Sequence, residues 1–273
     1  MSVDVEDYFQ VSAFEKQVAR DQWDGLELRV EANVDRILEL FARHDVRSTF
    51  FTLGWIAQRC PQMVRRIVEQ GHELASHGYE HVRVTEQDPM DFRQDVMRTK
   101  GILEDLSGTS VCGYRAPSYS IGAANLWALD VLEETGHRYS SSIYPIKHDL
   151  YGMPEAPRTA FRTRTQGGLL EFPVSAVDLA GRRVPCGGGG FFRLFPYRFS
   201  RYLIARFNRT FRQPSIFYFH PWEVDVDQPR IGGASAKSRF RHYLNLERMA
   251  PRLERLADDF TWAPLRDVFR VGR

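Results

Sequence analysis

Three places in the chain set side chains that bind metals or move protons close together. Asp4-Val5-Glu6-Asp7 puts three carboxylates within four residues. In an extended segment Asp4 and Glu6 share one side, so they could serve as a base and an oxygen ligand; a solvated acidic turn is the plainer alternative. Ser76-His77-Gly78-Tyr79-Glu80-His81 spaces two histidines by four. On a helical turn that spacing brings both imidazoles within reach of one ion. With a carboxylate they would form a two-histidine, one-carboxylate set, which leaves coordination positions open for water and substrate. His220 follows the apolar run Ile216-Phe217-Tyr218-Phe219 and precedes Pro221-Trp222-Glu223. It is either a proton donor at a strand exit or a core histidine. Arg115, in Gly113-Tyr114-Arg115-Ala116-Pro117-Ser118-Tyr119, needs a carboxylate partner if buried, and Asp4 is the candidate.

The segments around these residues alternate between strand and helix patterns. Ser2 to Val5, Ser48 to Thr52, His72 to Ser76, Val111 to Arg115, Leu169 to Pro173 and Ile216 to Phe219 read as strands. Val34, Ile37, Leu38 and Phe41 recur at helical spacing, and a second helix opens at Pro61 and stops near Gly71. Phe92 to Leu106, Leu126 to Leu132 and Leu244 to Leu256 give three more. Steady alternation predicts an α/β fold with a parallel sheet wrapped by helices, in roughly six or seven units. Residues 145–215 are less regular, and Gly187 to Gly190 with Phe191 and Phe192 reads as a sugar-binding rim or a flexible loop packed by two aromatics. His72 and Glu73 read as packing groups.

Bulk composition narrows the options. The 273 residues are 43% hydrophobic, with 19 Phe, 11 Tyr and 5 Trp, which excludes intrinsic disorder and suits a single domain. The formal charge of +2 gives no support to nucleic-acid binding. No apolar run approaches the ~18 residues of a membrane span, and the N-terminus does not read as a secretory signal. Cys60, Cys112 and Cys186 lack paired spacing and read as reduced thiols, so the expected compartment is the cytoplasm or the inner face of the membrane.

Taken together, the four motifs resemble the polysaccharide deacetylase family, the NodB-homology or carbohydrate esterase family 4 group. The nearest likeness is to the subset that opens Asp-Val-Glu-Asp-Tyr-Phe and is linked to bacterial exopolysaccharide export loci. The resemblance implies a distorted (β/α) barrel of about seven parallel strands, with a NodB-like part over about 1–225 and a C-terminal extension over about 226–273. It implies a divalent ion, zinc being the expected one, held by His77, His81 and either Glu6 or Asp7. Asp4 matches the catalytic base, Arg115 the arginine that holds it, and His220 the catalytic acid. Ser118 falls where the family offers a backbone N–H to the oxyanion, and Tyr119 and Trp222 are expected to face substrate. The stretch that should supply an acid to orient His220, Tyr139 to Tyr144, contains no carboxylate, which leaves Glu171, Glu223 and Asp225 open. The implied activity removes N-acetyl groups from amino sugars of an exopolysaccharide or its lipid-linked precursor. A same-fold hydrolase of small amides and a catalytically silent carbohydrate-binding protein are the competing readings.

Overall fold

The computed structural model describes residues 1–148 and 151–271. Among the described residues ten strands occur in chain order: β1 (Ser2–Val5), β2 (Thr49–Thr52), β3 (Glu73–Ser76), β4 (Gly113–Tyr114), β5 (Tyr139–Ser140), β6 (Phe161–Arg162), β7 (Leu170–Glu171), β8 (Ala176–Leu179), β9 (Arg182–Pro185) and β10 (Tyr218–Phe219). Eight of them form one sheet in the order β10-β1-β2-β3-β4-β5-β7-β6, and β8 with β9 forms a separate hairpin. Seven strands of the main sheet run parallel, and β6 alone is antiparallel. Every residue of β1, β2 and β3 is buried, as expected for a parallel sheet covered on both faces.

The sheet curls into a half-barrel, a distorted barrel of seven parallel strands. Its seam is closed by single hydrogen bonds, not by a ladder. Cys186 N–H donates to Ser175 O at 3.1 Å, and Tyr218 N–H donates to Gly187 O at 2.7 Å. The glycine run explains itself at this seam. A Cβ on Gly187 would lie 2.2 Å from Ile216 O, and one on Gly189 would lie 2.2 Å from Glu223 Oε1. At Gly187 and Gly189, backbone and a buried carboxylate approach too closely for a side chain, while Gly190 has open space beside it. Gly189 then opens a short helix.

The helices are α1 (Val30–Arg43), α2 (Gly54–Arg59), α3 (Pro61–Glu69), α4 (Pro89–Ser107), α5 (Trp127–Glu134), α6 (Gly189–Leu194), α7 (Tyr197–Phe211), α8 (Ala236–Tyr243), α9 (Met249–Asp259) and α10 (Leu265–Val268). Val34, Ile37, Leu38 and Phe41 belong to the buried face of α1. Gly71 follows α3 at φ +80°. Asp88 caps α4 by accepting from Met90 N–H and Asp91 N–H at 2.8 and 2.9 Å. The late helix expected over 244–256 is α9, which begins only at Met249 after a 3-10 turn at Leu246–Arg248, because Asn245 turns at φ +51° and the carbonyl of Leu244 is drawn off to the side chain of Arg193; α8 lies before it. Among the described residues no helix is long and apolar enough to cross a membrane.

Glu171 on β7 bears on stability. Its Oε1 accepts from Ser142 N–H and Ile143 N–H, both at 2.9 Å, while its buried Oε2 has no aligned hydrogen-bond partner among the described residues. Burial pushes its carboxyl up to about 7, against hydrogen bonds that favour the ion. A carboxyl raised in the folded state binds more protons there than in the unfolded chain, so stability falls as pH rises from its ordinary value of 4.5 through about 7. Glu171→Gln is therefore expected to raise the melting temperature at pH 8 and change it little at pH 4.5. Thermal melts of both proteins at the two pH values check this; equal shifts at both would show that Glu171 is not a source of the pH dependence.

Candidate active site

The C-terminal ends of parallel strands converge at one end of the sheet, and every candidate group but one arrives there. Asp4 sits on β1. Directly after the strand, Glu6 N–H donates to Asp4 O at 3.0 Å, so the chain turns and the two carboxylates face one space. His77 follows β3, Arg115 follows β4 and His220 follows β10. Asp4, Glu6, His77, His81, Ser118, Tyr119, His220 and Trp222 all line a cleft of about 510 Å³.

One oxygen of Glu6 and one nitrogen each of His77 and His81 lie within 4.8 Å of one another, all buried. The two histidines are not on a helix. Residues 77–83 are an irregular loop, with Gly78 at φ +76° and His81 at φ +54°, and this turn sets the two rings 5.3 Å apart. Asp95 steadies the turn by accepting Tyr79 N–H at 3.0 Å. His77 Nδ1 lies 2.8 Å from Arg115 O, which fixes that nitrogen as the donor and leaves Nε2 free to ligate. Glu6 Oε2 lies 2.9 Å from His81 Nε2, and among the described residues this buried oxygen has no aligned hydrogen bond. Burial raises the Glu6 carboxyl, but the charges of His81 and His220 outweigh it and hold the group down at about 2. An ionised carboxylate oxygen beside two imidazoles is a donor set that fits a divalent cation.

Asp7 is the group that stays away. Its Oδ2 accepts Arg29 N–H and Val30 N–H at 2.8 and 2.9 Å, and its Oδ1 accepts Tyr8 N–H at 2.8 Å. It is occupied with the N-terminus of α1, where a carboxylate satisfies free N–H groups. Of the two carboxylates left open by the sequence, only Glu6 faces the histidines.

Arg115 is fully buried and spends its donors locally. Nη1 donates to Asp4 Oδ1 at 2.6 Å and to Ser2 Oγ at 2.8 Å, Nε to Ser141 O at 3.1 Å, and Nη2 to Ser141 Oγ at 2.9 Å. The hydroxyl of Tyr119 donates to Asp4 Oδ2 at 3.4 Å. The Tyr139–Tyr144 stretch, which lacks a carboxylate, thus contributes a serine that fixes the arginine. Ser118 adopts φ +54° in the turn Pro117–Tyr119, with its hydroxyl bonded to that of Ser12.

His220 completes the cleft. Its Nε2 lies 3.4 Å from Glu6 Oε1 and 4.0 Å from Asp4 Oδ2. Its Nδ1 is 2.8 Å from Glu223 Oε1, and its backbone N–H donates to the same oxygen at 3.1 Å. Burial disfavours the charged ring, but Glu6, Glu223 and Asp4 raise it to about 9. Glu223 is thereby the acid that orients His220. Glu171 faces Ser142 and Ile143, and Asp225 pairs with Arg29 at 2.5 Å and Asn33 at 3.2 Å. Trp222 stacks on His220 with ring centroids 5.1 Å apart, and its Nε1 donates to Glu6 Oε1 at 3.3 Å. Sequence reasoning missed Arg193, whose Nε donates to Glu223 Oε2 at 2.7 Å. No local pattern announces it, because its partner lies thirty residues on.

Comparison with known proteins fits this geometry. Residues 21–140 match the polysaccharide deacetylase family, and residues 141–270 match a family described as a domain of unknown function, DUF3473. A peptidoglycan-N-acetylglucosamine deacetylase from Bacillus cereus is 27% identical over 155 residues, covering 52% of this chain and 55% of the relative. A chitooligosaccharide deacetylase from Sinorhizobium fredii is 32% identical over 109 residues, covering 40% of this chain and 48% of the relative. The chain thus spans about half the length of these relatives. The crystal structure of a Mycobacterium smegmatis protein assigned as a polysaccharide deacetylase superposes with a TM-score of 0.65 at 19% identity, covering 98% of this chain and 88% of that one, a likeness of fold. The strand ends, the converging side chains and the sequence matches agree on a polysaccharide deacetylase region over residues 21–140, followed by a DUF3473 region over residues 141–270.

Proposed function

We propose that the protein is a metal-dependent deacetylase that hydrolyses N-acetyl groups on amino-sugar units of a bacterial exopolysaccharide or its lipid-linked precursor. The observation that carries this reading is the gathering of Glu6, His77 and His81 with Asp4 and His220 in one cleft. A divalent cation held by the trio, zinc being the ion its donors suit, would polarise the acetamide carbonyl and acidify a neighbouring water. The chain's own groups do the rest. Asp4, aimed by Arg115, whose Nη1 is also held by Ser2 Oγ, accepts the proton as the water oxygen bonds to the carbonyl carbon. His220 gives its Nε2 proton to the amine nitrogen as the C–N bond breaks, leaving acetate and a free amino sugar. Glu223 holds the opposite ring nitrogen, so the proton-bearing Nε2 faces the cleft. Ser118, Tyr119 and Trp222 line the space where the sugar would lie. The Bacillus relative is a deacetylase of peptidoglycan N-acetylglucosamine and the Sinorhizobium relative one of chitooligosaccharide, and both activities support the same chemistry here.

The ligand assignment separates two neighbouring carboxylates. His77→Ala, His81→Ala and Glu6→Ala are each expected to fold and to lose bound zinc, read by elemental analysis after dialysis. Asp7→Ala is expected to keep its zinc and lose about 1–2 kcal/mol of stability, because it uncaps α1. Metal loss in Asp7→Ala with retention in Glu6→Ala would reverse the assignment.

The proton-transfer roles have their own signature. His220→Ala is expected to retain metal while kcat for acetate release from N-acetylglucosamine oligomers falls by about 10²- to 10⁴-fold. Asp4→Asn keeps the shape of the base and is expected to fall at least as far. Turnover unchanged in either variant would remove that residue from the mechanism, and metal loss in His220→Ala would make the histidine a ligand.

A further inference from the structure

Arg193 is 1% exposed, and the acid half of the cleft hangs on it. From α6 it reaches in two directions. Toward the cleft, Nε donates to Glu223 Oε2. Toward the C-terminal segment, Nη1 donates to His242 O at 2.9 Å and Leu244 O at 2.6 Å, and Nη2 donates to Arg241 O at 3.2 Å. The segment binds back: Asn245 Nδ2 donates to Arg193 O at 2.8 Å, and Arg252 Nη1 donates to Phe192 O and Arg193 O at 2.6 and 3.1 Å. Glu223 is fully buried, with Oε1 taken by His220 and Oε2 by Arg193, and Gly189 lies so near that a Cβ there would stand 2.2 Å from Oε1. Trp222 lies between the rings of His220 and His242, stacked at 15° to each.

We propose that Arg193 is a positioning residue that aims His220 by clamping Glu223 to the backbone of residues 241–244, so that seating the C-terminal segment and orienting the proton donor are one event. The inference rests on the deacetylase reading for its kinetic consequence but not for its structural one. A planar guanidinium suits the task because it addresses one carboxylate and three carbonyls from fixed directions. A lysine supplies the charge at Glu223 and cannot reproduce the fork.

Two readouts test the clamp. The first is the proton on His220 Nδ1, which a hydrogen bond to Glu223 holds against solvent exchange and shifts far downfield in the NMR spectrum of histidine-labelled protein. That resonance, assigned by its loss in His220→Gln, is expected to vanish or move upfield in Arg193→Met, and to weaken in Asn245→Gly, which keeps the positive φ while removing the side-chain bond to Arg193 O. The second is leaving-group dependence. An amine must be protonated to depart, whereas the phenolate of 4-nitrophenyl acetate departs without a proton. Arg193→Met is expected to lose about 10²-fold in kcat on N-acetylglucosamine oligomers, with KM unchanged, and less than about threefold on the ester. Arg193→Lys is expected to lose about tenfold on the oligomers alone. An unchanged His220 resonance in Arg193→Met, or equal losses on both substrates, would overturn the proposal. If Arg193→Met fails to fold by circular dichroism, both measurements are made on Arg193→Lys and Asn245→Gly, where an unchanged resonance or equal losses overturn the proposal in the same way. A wild-type protein that releases acetate from neither substrate would defeat the deacetylase reading, while the resonance would still decide the clamp.

Discussion

Two carboxylates buried at the end of one four-residue strand set the terms for the rest of the molecule. Asp4 and Glu6 are each 2% exposed, and an ionised carboxylate at that depth is costly unless it is paired and hydrogen-bonded. Asp4 is matched by Arg115 from the end of β4, three strands away, with Ser2 beside it on β1. Glu6 is matched by His81 from the loop after β3 and by His220 and Trp222 from the end of β10. No flat sheet brings β4 and β10 to the same two carboxylates; the curl of the half-barrel does. Even so, among the described residues one Glu6 oxygen keeps no aligned donor, and a cation is the partner that would satisfy it.

This arrangement gives the second half of the chain a definite part in the site. The region matching the polysaccharide deacetylase family contains His77, His81 and Arg115. Asp4 and Glu6 precede it, and His220, Trp222, Glu223 and Arg193 lie in the DUF3473 region. The side of the cleft that holds His77 and His81 and the side that holds His220 are therefore drawn from different stretches that share one sheet, with β10 pairing directly to β1. The C-terminal segment reinforces the acid side through Arg193, and at the opposite end of the sheet α10 closes the barrel, with Leu265 N–H on Thr49 Oγ1 and Arg266 N–H on Glu73 Oε2.

Much of this is legible in the sequence wherever local pattern and burial agree. The apolar periodicity of α1, Pro61 and Gly71 around α3, and the β-branched and aromatic runs of β2 and β10 mark buried elements directly. What escapes depends on partners distant in the chain. Glu6 and Asp7 look alike in sequence and differ because Arg29 and Val30 come to rest against one of them. The His77–His81 spacing suggests a helix, yet two positive-φ residues produce the same meeting of rings in a loop. Glu223 stands out from Glu171 and Asp225 only because those two are bound to other groups, and the glycine run acquires a reason only from Glu223 and Ile216 lying against it.

A cation held by Glu6, His77 and His81 would make this cleft a deacetylase. The most direct test is acetate release from N-acetylglucosamine oligomers by one preparation measured after chelation, after dialysis and after stoichiometric zinc is returned. Release that disappears on chelation and recovers with one equivalent of zinc per chain is the predicted result. Release that persists in the metal-free protein would contradict the account, as would no release from the fully loaded one.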